Sequence, residues 1–259
     1  MESRSDLLVE QLDLLGQPIY RLSKEELALL RAPDITLPDL EPASVSLALA
    51  VKKPGSPAGN ETASPSVQFE SRPNVPKELE PLAREARQSF DRAEYRDAEK
   101  LYEQLLAKAP NNLHALSNLG VTRFRAGKLK AAELTLEKAV AIAPEDPFCL
   151  STLGIVYYRQ GRFDDAINVL TKAVSLDPKN AVAHNHLGIT ASQKGWREAA
   201  EKELQAALEL NPNYADAHFN LAVVYASASP PSRELARRHY RRAVELGTET
   251  DPNLEKLLQ

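Results

Sequence analysis

PFCLSTLGIVYYRQGRFDDAINVLTKAVSLDPKN, residues 147–180, is the stretch that decides the fold. Leu150, Leu153, Gly154 and Tyr157 recur at spacings of three and four, the stripe of an amphipathic helix. Gly161 then ends that helix, because glycine readily takes the left-handed conformation at a helix C-terminus. Phe163, Ala166, Ile167, Leu170, Ala173 and Val174 make a second stripe. Leu176-Asp177-Pro178 closes it, since proline cannot continue the hydrogen-bond ladder. Small Gly154 and Ala166 fall where the two helices have to approach closely.

The pattern extends outward with one period. Gly120, Gly154 and Gly188 are 34 residues apart, and Gly127, Gly161 and Gly195 repeat that spacing. Ala98, Ala132, Ala166 and Ala200 follow it, as do Pro110, Pro144, Pro178 and Pro212. Four residue series sharing one period identify a stack of helix-turn-helix repeats.

The units resemble the tetratricopeptide repeat (TPR), with Leu-Gly-x-x-Tyr in its first helix, Ala and a large apolar residue in its second, and a closing Pro. Residues 113–146 carry Leu119-Gly120, Leu136, Ala139 and Pro144. Residues 147–180 carry Leu153-Gly154, Tyr157, Ala166, Leu170, Ala173 and Pro178. Residues 181–214 carry Leu187-Gly188, Ala200, Leu204, Ala207 and Pro212. Residues 79–112 are looser at the front (Glu85-Ala86) but keep Ala98, Tyr102 and Pro110, and residues 215–250 match through Leu221-Ala222, Tyr225, Ala236, Tyr240 and Ala243. The resemblance implies an all-α fold over 79–259: a right-handed superhelical α-solenoid of five units. In the last unit two extra residues fall at Ser227–Ser232, around Pro230-Pro231, and lengthen the turn without touching the second helix. Asp251-Pro252 then starts a short Leu254/Leu257/Leu258 helix, expected to cap the final apolar face over 251–259.

Residues 1–78 read differently. They hold nine of the 18 prolines and 8 Lys/Arg against 12 Asp/Glu. Residues 79–259 hold 24 of each, so the whole net charge of −4 belongs to this arm. A neutral repeat region with mixed signs lacks the basic stripe of a general nucleic-acid binder. Two short helix candidates start at Ser5 and at the Ser23-Lys24-Glu25-Glu26 capping box, each too short to stand alone in water. Residues 32–76 read as linker, with apolar Val45–Val51 as a docking segment. Self-association through the arm is one reading of these features. No stretch is long and apolar enough to span a membrane, and nothing near Met1 looks like a secretory leader, so a cytoplasmic location is expected. That expectation loses its basis if the chain is part of a longer one.

Catalytic motifs are missing: there is no Gly-rich phosphate loop, His-Glu-x-x-His, Cys-x-x-Cys or Gly-x-Ser-x-Gly. A non-enzymatic chain without cofactor or metal is expected. His184 and His186 point about 200° apart on a helix and cannot readily chelate one ion. His184 and His218 share one repeat slot and read as packing residues, and Cys149 stands where Ala115, Ala183 and Ala217 stand. Arg233, Arg237, Arg238, Arg241 and Arg242 form solvent-facing strips around Ala236, Tyr240 and Ala243; an acidic partner is their functional reading, with the N-terminal arm one candidate.

The better constellation lies on the first helix of each unit. Position 6 reads Arg84, Asn118, Thr152, His186 and Asn220, a polar row where a buried stripe would be apolar. Position 5 adds Asn185, position 12 adds Phe124 and Tyr158, and position 13 adds Arg125 and Arg159. In the TPR family this face lines a concave groove that binds peptides or partner helices. Amides donate and accept at once, which suits capture of an extended chain, while the aromatics offer apolar anchors. The carboxylate clamp of chaperone-binding TPR domains does not fit, because Phe148 and Thr152 stand where Lys and Arg are needed. The expected site is therefore Asn118, Phe124, Arg125, Tyr158, Arg159, Asn185, His186 and Asn220, and the expected function is a scaffold for a protein or peptide partner. Two other readings stay open: the repeat portion of a larger enzyme or membrane-associated complex, and a self-assembling structural protein.

Overall fold

The structure, a computed structural model, describes residues 75–259. The expected arm helices and the Val45–Val51 docking segment lie outside the described residues. A 3-10 turn at Lys77–Leu79 leads into α1 (Glu80–Asp91) and α2 (Tyr95–Lys108). Next come α3 (Leu113–Arg125), α4 (Leu129–Ile142), α5 (Pro147–Arg159) and α6 (Phe163–Leu176). The chain continues through α7 (Ala181–Gln193), α8 (Arg197–Leu210), α9 (Ala215–Ala226), α10 (Arg233–Glu245) and α11 (Pro252–Leu258). Among the described residues there is no strand, so the all-α expectation of paired helices with a closing cap holds. The described residues form two compact units, one of 75–158 with 164–180, the other of 159–163 with 181–259.

Turns recur because the same chemistry recurs. Gly127, Gly161 and Gly195 have φ of +76°, +73° and +75°, the left-handed region that lets each chain reverse after a first helix. In the first repeat Ala93 occupies that conformation at φ 60°, despite its Cβ. Asn112 and Asp146 cap the helices that follow, accepting from the Ala115 and Cys149 amides at 2.9 and 2.8 Å.

In the unit of residues 75–158 and 164–180, consecutive helices meet through small residues. A Cβ built on Gly120 would stand 2.5 Å from Leu136 Cγ, and one on Gly154 would stand 2.5 Å from Leu170 Cγ. Leu113, Leu116, Ala139 and Cys149 make a buried cluster, so Cys149 is a packed small residue like the alanines in its slot. An ionic network ties α2, α3 and α4. Arg123 donates to Glu99 at 3.0 Å, to Glu103 at 2.6 Å and to Thr135 at 2.6 Å, while Lys128 donates to Glu99 at 2.7 Å. Burial pushes the Glu99 carboxyl up, but the hydrogen bonds and charges of Lys128 and Arg123 outweigh it and hold the group below the usual carboxylate range.

In the unit of residues 159–163 and 181–259, Gly188 plays the same part against Leu204 Cγ at 2.7 Å. The end repeats use a different pair. Where the glycine slot holds Ala86 or Ala222, the repeat register puts Tyr102 or Tyr240 in the leucine slot, and Ala86 and Tyr102 share one buried cluster. A flat ring leaves room for a methyl group that a γ-branched leucine does not. Tyr240 also anchors the cap: its hydroxyl accepts from the Asp251 amide at 2.6 Å and donates to Glu255 at 3.2 Å. Asp251 caps α11 through the Asn253 and Leu254 amides, and Arg237 holds the carbonyls of Leu258 and Gln259.

Candidate functional site

The first helix of each repeat carries the polar row, and the structure places its members differently in the two units. In the first, Asn118 on α3 is nearly buried, with its amide 3.1 Å from the His114 ring one turn earlier. Thr122 one turn later donates to the Asn118 carbonyl at 2.7 Å. Phe124 and Tyr158 are buried, whereas Arg125 at the end of α3 is half-buried. Thr152 uses its hydroxyl on the Phe148 carbonyl, so its slot offers no free polar head.

In the second unit Asn185, His186 and Asn220 are 1%, 2% and 4% exposed. Asn220 Nδ2 donates to Asn185 Oδ1 at 3.0 Å, linking α9 to α7. Asn185 also hydrogen-bonds the phenol of Tyr214. Burial pushes the Tyr214 hydroxyl up and the Asp216 charge adds to it, against the Asn185 hydrogen bond, so the phenol stays protonated. The site thus includes a residue the groove reading omitted. Its signal was available: positions 112, 146 and 180 carry Asn, Asp and Asn, while 214, in the same slot, carries Tyr. Helix α9 has no side-chain cap there, an exchange of roughly 1 kcal/mol of capping for the contact with Asn185.

His186 stands apart within this group. Its Nδ1 is buried and has no hydrogen-bond partner. Burial lowers its pKa to about 3, and the Arg159 charge lowers it further in the same sense, so the ring is neutral near pH 7. An unsatisfied buried polar atom is uncommon enough to call for an explanation. His184, two residues back, instead meets Glu203 at 2.7 Å.

A second histidine pair joins α9 to α10. His218 Nε2 lies 3.1 Å from the Pro212 carbonyl and is its donor, leaving Nδ1 to accept from His239 Nδ1 at 2.9 Å. Burial lowers both pKa values, that of His239 to about 4, helped by the neighbouring histidine and Arg238. The native state therefore binds fewer protons than the unfolded chain below the ordinary value near 6.5, and stability falls as pH drops from there. The melting temperature is expected to decline between pH 6.5 and 4, and His239→Gln to flatten that limb. Equal slopes for variant and parent would show that the pair does not titrate this way.

Comparisons with known proteins agree with the repeat fold that carries these residues. The family described as TPR repeat matches residues 154–195 and 193–228. The family of the anaphase-promoting complex, cyclosome, subunit 3, matches residues 91–173. No curated protein sequence matches the chain. Among solved structures, a MamA protein from Desulfovibrio magneticus RS-1, spanning its residue 41 to the end, superposes with a TM-score of 0.58 at 18% identity, covering 67% of this chain and 97% of that one. The MamA protein of MSR-1 gives 0.53 at 24%, covering 65% and 96%. The anaphase-promoting complex hetero-tetramer Cut9–Hcn1 gives 0.62 at 22%, covering 70% of this chain and 35% of that one. At such identities the likeness is one of fold.

Proposed function

Because this chain is a tetratricopeptide-repeat protein, we propose that it is a non-catalytic scaffold that captures an extended segment of a protein partner along the first-helix faces of its repeats. The observation that carries the reading is His186 Nδ1, a buried ring nitrogen with no partner, which accepts a hydrogen bond in the tautomer that keeps the proton on Nε2. A backbone N–H of an extended peptide has the complementary chemistry. Its neighbours Asn185 and Asn220 already hold each other's amides in place, which presets the surroundings of His186 before any ligand arrives. Half-buried Arg125 and Arg159 add cationic heads in their respective units, while buried Phe124 and Tyr158 support the first helices from within rather than offering apolar surface.

Peptides selected from a displayed library on the intact chain provide the test. His186→Phe keeps the ring and removes its nitrogens, so affinity should fall about tenfold, the worth of one buried hydrogen bond. The triple variant Asn118→Ala, His186→Ala and Asn220→Ala should bind more weakly still at unchanged helicity. Peptides that bind both variants as they bind the parent would move the site off this face.

A further inference from the structure

Helix α10 holds five arginines, Arg233, Arg237, Arg238, Arg241 and Arg242, against Glu234 and Glu245, for a net +3 over 13 residues. The rest of 79–259 holds 19 Lys/Arg against 22 Asp/Glu, so this helix is opposite in net sign to the remainder of the repeat region. Two of the five are engaged: Arg237 holds the end of α11, and Arg242 bonds Glu245 and Asn213. Arg233, Arg238 and Arg241 are exposed and have no carboxylate partner among the described residues. Arg233, Arg237 and Arg241 step by four along one side of the helix.

We propose that this arginine ridge is the docking surface for the acidic segment 1–41 of the same chain. That segment holds 4 Lys/Arg against 9 Asp/Glu, a net −5. In the helix candidate that starts at Ser5, Asp6, Glu10 and Asp13 step by four and three, which on a helical period puts their carboxylates on one face, with Glu2 just ahead of it. Guanidinium groups suit this task because they bind carboxylates bidentately. Residues 42–74 connect the two parts. Thirty-three residues span roughly 110 Å when extended. Tethering supplies an effective concentration that lets individually weak exposed ion pairs hold together.

The test uses the full chain with Cys149→Ala, a change that Ala115, Ala183 and Ala217 show the slot accepts. Spin labels at Ser5→Cys and Ser229→Cys report the distance from the segment to the start of α10 by pulsed electron resonance. A population of short distances is expected at low salt. It should disappear in Arg233→Glu/Arg238→Glu/Arg241→Glu, with circular dichroism unchanged, and return when Glu2→Arg/Asp6→Arg/Asp13→Arg is added. Absence of short distances in the parent overturns the proposal, as does their survival in the arginine variant or a failure of the charge swap to restore them. Short distances seen only between singly labelled chains in a mixture would place the segment on a second copy and overturn docking within one chain.

Discussion

Ala166→Glu is expected to unfold the repeat that contains it. Ala166 is 0% exposed, at the place where the first and second helices of residues 147–180 meet. A glutamate there adds four heavy atoms, including a carboxylate, to a packed contact. Either the charge is buried unpaired or the helices separate to hydrate it, and both routes cost on the order of 4 kcal/mol. For a chain of this length that lowers the melting temperature by roughly 10 °C in a thermal scan followed by circular dichroism. A variant that melts with the parent would mean that residue 166 does not face the neighbouring helix.

Gly154→Val is the second large effect, and it comes with an internal control. A Cβ at Gly154 would lie 2.5 Å from Leu170 Cγ, 2.9 Å from its Cδ2 and 3.1 Å from Val169 Cγ2. Valine adds two methyl groups beyond that, and overpacking of this kind costs about 3 kcal/mol. Gly154→Ala should cost less, because better helix propensity returns about 1 kcal/mol. The end repeats indicate how to relieve the strain, since Ala86 and Ala222 go with tyrosines in the leucine slot. The double variant Gly154→Ala/Leu170→Tyr should be more stable than the sum of its single changes by about 1 kcal/mol in urea titrations. Strict additivity would show that the glycine and the leucine slot are not in contact.

These two sites also show which parts of the molecule are legible in the sequence. Period and residue size are local, repeated facts, so helix ends, left-handed glycines and a close approach at Gly154 and Ala166 follow from one 34-residue stretch, although Leu170 as the partner of Gly154 does not. The polar row on the first helices was legible as chemistry, because Asn118, Asn185, His186 and Asn220 break an apolar stripe. Its pairing was not. Whether Asn220 meets Asn185 depends on the stagger between successive first helices, and a period fixes the angle of a side chain about its own axis, not its height against a neighbour. The His218–His239 contact escaped for a related reason: His218 shares a slot with His184, but the slot alone does not say what it meets on the second helix, Glu203 in one repeat and His239 in the next. Tyr214 is visible in the sequence as a break in a series of capping residues, but its partner Asn185 is not.

The two kinds of glycine-slot pairing have a consequence for how the chain tolerates editing. Residues 113–146, 147–180 and 181–214 share the Gly–Leu pair, the same turn glycine and one length. Excising 147–180 would join Asp146 to Ala181, putting one capping carboxylate in place of the Asn180 amide that precedes Ala181 now. The three central units are thus spare parts for one another, and a shorter or longer array is reachable by whole-unit deletion or duplication. The first and last units, built on Ala–Tyr, are not exchangeable with them, so growth of the array is confined to its middle.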